Sequence, residues 1–272
     1  MLPVLFRVPA WVPLLGNQPL TSFGVALLVG LLAGGVWFAR RAAPAGVPRN
    51  TAWEMVALAA VAGLVGARLY YLAANPGPWH GGWMLLSARS GLAGMGAFLG
   101  GAAAMAWRGR RLHVPPARLA DAAAPPLALL YGIARIGSFL AGADYGRPTG
   151  SFLGTAFPRG NPATTPANLL ARFGVVAPAS ARVGEQVLVH PTQLYEAVGA
   201  LLVAWWLGRR RPAHGTFAWC LVLLGLLRFA VEFLRLQTER MIGPFALDQL
   251  VALVLVVGGL VLLRLPSREE AH

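Results

Sequence analysis

The stretch His190-Pro191-Thr192-Gln193-Leu194-Tyr195-Glu196-Ala197 places an imidazole, a carboxamide, a phenol and a carboxylate at the mouth of an otherwise apolar segment. If the segment from Thr192 to Leu207 is a helix, His190, Gln193 and Glu196 follow each other at a spacing of three, on or near one face. Hydrocarbon accommodates such groups only where they look into protein or trapped water. Capping by His190, Pro191 and Thr192 explains the first turn. It does not explain a glutamate a full turn deeper. Other stripes carry cations: Arg228, Glu232 and Arg235 stand at i, i+4 and i+7, so that the central carboxylate can hold both guanidinium groups. Tyr131, Arg135, Ser138 and Gly142 form a similar row, as do Arg68, Tyr71 and Asn75. Snorkelling to an interface is the plain account of an arginine near a helix end, and it fits Arg68 and Arg235 as well as function does. Arg135 and Arg228 lie deeper, beside small residues. Several arginines with fewer acids to neutralise them invite an anion, and phospholipid phosphate is the anion at hand. Guanidinium forks grip its oxygens bidentately and stay charged at low dielectric.

The elements that must position these residues are membrane helices. Of 272 residues 57% are hydrophobic and 12% charged, with a mean hydropathy of +0.60, which excludes an ordinary soluble domain. The formal charge of +13 comes from arginine alone. Most of it sits in clusters at the ends of apolar runs, so topology explains it better than nucleic acid, and no nucleic-acid partner is expected. Seven spans are predicted, at about 20–39, 52–74, 83–107, 116–142, 192–208, 215–234 and 245–263. Pro125-Pro126 predicts a kink in the fourth. Residues 1–19 read as an interfacial arm, 143–189 as the one sizeable extramembrane insert, and 265–272 as a tail. Arginines 40, 41, 49, 108, 110, 111, 209, 210, 211, 264 and 268 all follow odd-numbered spans. By the positive-inside rule the N-terminus is outside, the C-terminus inside and the insert a small extracytoplasmic head. The expected fold is therefore an all-α polytopic membrane protein in which transmembrane helices 1–4 occupy 20–142 and helices 5–7 occupy 190–264. On this topology Arg68, Arg135, Glu196, Arg228, Glu232 and Arg235 all fall toward the outer ends of their spans and can converge at one level. Gly91, Gly94, Gly96, Gly100 and Gly101 let another backbone or a lipid chain approach the third span closely. His80, His113, His190 and His214 are scattered, so neither metal nor cofactor is expected. Cys220, the single cysteine, reads as a buried small hydrophobe.

These motifs resemble, in order along the chain, those of the bacterial prolipoprotein diacylglyceryl transferase family. His190 to Ala197 is close to that family's His-Pro-Ser-Gln-Leu-Tyr-Glu-Ala. Arg135-Ile136-Gly137-Ser138-Phe139 followed by Gly146-Arg147 resembles its signature Gly-Arg-x-Gly-Asn-Phe…Gly, with the same spacing from arginine to the last glycine. Arg228 to Arg235 matches Arg-x-x-x-Glu-Phe-x-Arg, and Asp248-Gln249 corresponds to a Gly-Gln pair on the seventh helix. The resemblance implies a multi-pass enzyme of the bacterial cytoplasmic (inner) membrane that moves diacylglyceryl from phosphatidylglycerol to the lipobox cysteine of a prolipoprotein signal peptide. Its partners are then phosphatidylglycerol, the precursor and the membrane.

Carried over residue by residue, the resemblance implies essential arginines at Arg135 and Arg228. Substrate contacts are expected from Arg68, Ser138, Asp144, Tyr145, Gly146, Gln193, Tyr195, Glu196, Glu232 and Arg235. Departures fall at functional places: the family's third-span histidine aligns with Met95, its signature asparagine with Ser138, the acid after the signature with Ala143, and a first-span tyrosine with Phe23. The chain reads as a divergent paralogue. Because Met95 cannot accept a proton, His190 is the expected base for the thiol, with Glu196 better suited to orienting a guanidinium. A catalytically silent relative that binds lipid or precursor is the alternative, and a transporter of anionic lipid a more distant one, since no internal repeat is apparent.

Overall fold

In the computed structural model, residues 2–7, 9, 11, 19–75, 94–177, 184–210, 215–236, 241–242 and 245–265 are described. Among them the regular structure is helical: α1 (Ser22–Ala42), α2 (Arg49–Ala74), α3 (Gly94–Arg111), α4 (Pro116–Ala141), α5 (Pro166–Phe173), α6 (Thr192–Arg209), α7 (Thr216–Glu232) and α8 (Leu247–Arg264). The strands are short. β1 (Val4–Arg7) pairs antiparallel with β2 (Pro19–Thr21), and β3 (Met241–Ile242) with β4 (Phe245–Ala246). Long helices are what apolar runs must form where no water can satisfy backbone amides. Among the described residues, four stretches are long and apolar enough to cross a membrane: Ser22–Ala45, Arg49–Ala74, Pro116–Ala141 and Leu247–Arg264. This suits a polytopic membrane protein.

A helix overlaps each expected span, although several run past the expected bounds. α7 has 17 residues, and α3, whose described part starts at Gly94, ends in three arginines. The expected start of the third span, with Gly91, lies outside the described residues, as do His80, His214 and the tail beyond Leu265. In the sixth expected span, α7 stops at Glu232, two residues before the expected end. The fourth runs unbroken through Pro125 and Pro126.

The chain divides into two compact units, residues 35–123 and residues 1–34 with 124–272. In the first, a core of Phe38, Ala42, Val47, Ala52, Met55, Val114 and Leu119 joins the helix ends. Its tightest contact is α2 on α3. A Cβ on Gly66 would collide with the carbonyl oxygen of Gly96, one on Gly96 with that of Gly66, and one on Gly100 with that of Ala62. The glycine-rich face of α3 is thus filled by the backbone of α2, which decides between the two occupants the sequence left open. Arg68 is in this unit, buried, with its guanidinium carbon 5.7 Å from the Tyr71 ring centroid. Met95 is here too, 40% exposed on α3.

In the other unit, the first turns of α1 lie on α4, where Gly137 leaves room for Phe23 and Ala26 and Gly30 for Leu130. Gly199 of α6 accepts Leu227 of α7, and Gly225 of α7 accepts Val256 of α8. Leu202, Trp205, Leu226, Val254, Val257 and Val261 remain exposed, as side chains that face lipid do. Cys220 is buried, its Sγ 3.5 Å from the carbonyl oxygen of Ala124.

The insert folds around Tyr145, Phe157, Leu169, Val187, Val189 and Leu236. α5 closes it, with Thr165 capping the amide of Asn168 and Gly174 ending the helix at φ 64°. Tyr145 stacks on Phe157 with centroids 5.3 Å apart and donates its hydroxyl to the carbonyl of Pro162 at 2.8 Å. Burial pushes this phenol up to about 12. Because the neutral form is the one favoured in the folded head, its contribution is complete below pH 10 and declines as pH rises through about 12. Tyr145→Phe is expected to cost about 1 kcal/mol at neutral pH and to remove that alkaline loss. Thermal unfolding followed at neutral and strongly alkaline pH checks both.

Candidate active site

Five side chains, from α4, α6, α7 and the turn after α7, meet at the end of the second unit's helices that carries the head. Glu196, in the second turn of α6, is 1% exposed, and its two oxygens take one guanidinium each. Oε2 is 2.6 Å from Nε of Arg135 on α4, and Oε1 is 2.6 Å from Nη1 of Arg228 on α7. Glu232, one turn along α7, lies 3.1 Å from Nη2 of Arg228 and 3.6 Å from Nη1 of Arg235. Arg235 stands beyond the helix, on the tight turn in which Leu234 N donates to Val231 O and Arg235 N to Glu232 O. The expected i, i+7 helical stripe is therefore broken, yet the turn still brings the guanidinium back to Glu232.

Two further carboxylates complete the cluster. Asp144 Oδ2 is 3.2 Å from Arg135 Nη1 and its Oδ1 3.1 Å from Arg235 Nη2. Asp248, in the first turn of α8, pairs with Arg228 and lies 3.5 Å from Arg235 Nη1. Three guanidiniums thus face four carboxylates. The expectation of fewer acids than arginines fails here, because Asp144 and Asp248 come in from a loop and a helix start whose positions sequence spacing does not give. The acids differ in exposure: the side chains of Glu196 and Glu232 are 2% and 6% exposed, those of Asp144 and Asp248 44% and 32%. In the sequence Asp248 stands out only as the counterpart of a glycine in the family's Gly-Gln pair, which gives no sign of an arginine partner, and an acid in the first turn of α8 also suits the helix dipole.

The scaffold holding these groups is braided from three segments. Gly146 N donates to His190 O at 2.8 Å, Arg147 N to Leu234 O at 2.8 Å, and His190 N to Arg147 O at 3.0 Å. A Cβ on Gly146 would meet the carbonyl oxygen of Leu234 and, at 2.8 Å each, His190 Cβ and Thr192 Cγ2. Gly146 therefore acts through close packing. Asp144 adopts φ 60°, directly after Gly142 at 68° and Ala143, a conformation that an aspartate tolerates better than most residues. Thr192 Oγ1 donates to the Asp144 carbonyl at 2.9 Å and Gln193 Nε2 to that of Ala143. Both side chains are fully buried, so the start of α6 fixes the backbone that aims Asp144. Gln249 does similar work on α8, its Oε1 accepting from Ala246 N at 3.0 Å.

The other expected site residues are placed as follows. Tyr131 lies 5.1 Å from the Arg135 guanidinium carbon by its ring centroid. Ser138 is buried on α4 one turn past Arg135. His190 precedes α6, with Nδ1 3.2 Å from the hydroxyl of Tyr195. Tyr145, expected to touch substrate, is instead in the head core with its hydroxyl bound to Pro162. Arg68 belongs to the other unit. What the assembled groups can do is hold planar donors in fixed orientation next to two exposed carboxylates, an arrangement suited to an anion that takes over donors now facing Asp144 and Asp248.

Comparison with known proteins adds an independent line. The family described as Prolipoprotein diacylglyceryl transferase matches residues 9–265. The chain is similar to phosphatidylglycerol–prolipoprotein diacylglyceryl transferase 2 of Clostridium perfringens, at 25% identity over 92% of this chain and 93% of that one. It is similar to the phosphatidylglycerol–prolipoprotein diacylglyceryl transferase of Geobacter sulfurreducens, at 30% identity over 98% and 96%. With transferase 2 of that name from Streptomyces coelicolor it shares 32% over 82% and 68%.

Proposed function

Because the chain belongs to the prolipoprotein diacylglyceryl transferase family, we propose that it transfers diacylglyceryl from phosphatidylglycerol to the lipobox cysteine of prolipoproteins. The observation that carries this reading is the pairing of Arg135 and Arg228 through the two oxygens of buried Glu196. A cysteine thiolate attacks the glycerol carbon, the carbon–oxygen bond breaks, and its electron pair leaves on glycerol phosphate. No acyl carbonyl takes part. Charge grows on the departing phosphate, and oriented guanidiniums stabilise it most where water is excluded. Glu196 and Glu232 hold the arginines, whereas Asp144 and Asp248, more exposed, give way to the phosphate. Arginine charge also favours the thiolate of a cysteine whose ordinary pKa is about 8.5.

His190 takes the thiol proton in this reading, with Tyr195 orienting its ring from 3.2 Å. His190→Gln is expected to keep fold and lipid binding while slowing transfer about 100-fold at pH 7. The deficit should shrink toward pH 9 as thiolate forms unaided, and full activity of the variant at pH 7 would remove His190 as base.

The test of function is thioether formation on a lipobox peptide by the purified protein in phosphatidylglycerol vesicles. Lipid binding without any thioether would favour the silent relative, for which Met95 at the family histidine's place is the supporting observation. In this reading the chain crosses the bacterial inner membrane seven times, with the head outside and the C-terminus inside. A reporter fused after His272 should then behave as cytoplasmic, and a cysteine near Asn161 should label from outside in intact cells. Labelling only after the inner face is opened reverses the orientation.

A further inference from the structure

Each guanidinium of the cluster is committed to carboxylate oxygens within 3.6 Å. Three guanidiniums against four carboxylates leave a formal negative charge in excess, so an approaching phosphate is repelled until a carboxylate moves aside. A fourth guanidinium stands at the rim. Arg147 is exposed, and among the described residues no carboxylate pairs with it. Its backbone is held from two sides, the amide donating to Leu234 O at 2.8 Å and the carbonyl accepting from His190 N at 3.0 Å. The side chain is tethered as well: Nε donates to the carbonyl of Arg235 at 3.4 Å. That bond sets the plane of the guanidinium and leaves Nη1 and Nη2 to an outside acceptor. Arg235 in turn holds Asp144, 3.1 Å from its Nη2, so Arg147 adjoins one of the two acids that must yield. Phe233 and Leu234, on the same turn, are exposed apolar side chains, so the backbone that holds Arg147 belongs to a surface suited to lipid.

We propose that Arg147 is a substrate-binding residue, whose Nη groups take a non-bridging phosphate oxygen of the donor phospholipid at the rim before Asp144 gives way. The inference rests on the transferase reading for the identity of the donor, not for the contact itself. Attraction to Arg147 offsets the excess negative charge while the ion pairs behind it are still closed. A contact made in the bound lipid and kept unchanged in the transition state adds to affinity and not to the rate of the chemical step. A free phosphate makes the same contact but draws nothing from Phe233 and Leu234.

The test measures binding of radiolabelled phosphatidylglycerol to the purified full chain at a fixed detergent concentration, beside thioether formation on a lipobox peptide at saturating lipid. Arg147→Gln should raise the Kd roughly tenfold and leave saturated transfer within about twofold. Arg147→Lys should recover part of the affinity, since the charge remains and the tether at Nε is lost. Arg172→Gln, which removes the same charge from α5 of the head, should change neither quantity. An unchanged Kd in Arg147→Gln overturns the proposal, and so does an equal rise in Arg172→Gln, which reduces Arg147 to a share of the head's overall charge. Slower saturated transfer at unchanged Kd also overturns it, because the side chain then acts only by holding the turn at Arg235. Displacement of the lipid by millimolar inorganic phosphate from the wild type, but not from Arg147→Gln, overturns the lipid as occupant. A Kd raised in Arg147→Gln alone, with no thioether from any form, leaves the contact standing and overturns the transferase reading. No phosphatidylglycerol binding by the wild type overturns both.

Discussion

Arg228→Lys is expected to lower kcat/KM for thioether formation by at least about 100-fold, although the positive charge is kept. The reason is directional. Arg228 sends Nη1 to Glu196 at 2.6 Å and Nη2 to Glu232 at 3.1 Å, and also reaches Asp248. One planar group thus connects α6, α7 and the first turn of α8. An ammonium on a flexible stem cannot occupy both buried acceptors and still present an ordered edge to a phosphate. Arg135, fixed by Nε to Glu196 and by Nη1 to Asp144, should behave in the same way. The assay is single-turnover transfer to a lipobox peptide, with folding of each variant checked by thermal unfolding. Near-normal turnover with lysine at both positions would sink bidentate phosphate recognition as the basis of catalysis.

Why this cluster was largely legible, and where it was not, follows from the physics of a membrane chain. An ionisable residue inside an apolar run is costly unless partnered, so Arg135, Glu196, Arg228 and Glu232 announce themselves, and their depth along predicted helices says they can meet. Residues outside the runs carry no such signal. Asp144 sits in a polar insert and Asp248 at a helix start, both ordinary places for an acid, and their approach to the arginines depends on tertiary contacts. Those contacts are the left-handed turn at Gly142 and Asp144 and the clamp from Thr192 and Gln193. The site therefore holds more acids than its helical stripes predict. Tyr145 shows the converse: the motif resemblance placed it beside substrate, but an aromatic two residues past a helix-ending turn is also well placed to enter the head core with Phe157. The starts at Pro116 and Thr192 and the end at Ala74 fall where expected, whereas the ends marked by arginine clusters lie further out, α1 running to Ala42 and α3 to Arg111. The exit at Arg235 moved because a tight turn can follow Glu232 and keep the same side chains in register.

The exposure difference among the four acids leads to the second large effect. Glu196→Gln keeps the shape and one acceptor oxygen but removes the charge that both Arg135 and Arg228 face at 2.6 Å. Glu196 is 1% exposed, so water cannot replace what is lost. The amide also turns an N–H₂ toward one of the two guanidiniums. Breaking a buried pair from one side costs about 3–5 kcal/mol, because the remaining partner stays buried and uncompensated. A loss near the lower end of that range is expected, since Asp144, Asp248 and Glu232 still neutralise part of the cationic field. Asp144→Asn, at a side chain 44% exposed, should by contrast change stability by no more than about 1 kcal/mol. Chemical unfolding in a fixed detergent gives both values. In the Glu196→Gln protein, removing a cation by Arg135→Gln should then cost less than it does in the wild type, since the two residues share one interaction. Glu196→Gln within about 0.5 kcal/mol of wild type, with strictly additive double variants, would mean that Glu196 does not hold the arginines. The arrangement at the head of α6 would then have to be set by the backbone braid of Gly146, His190 and Leu234 alone.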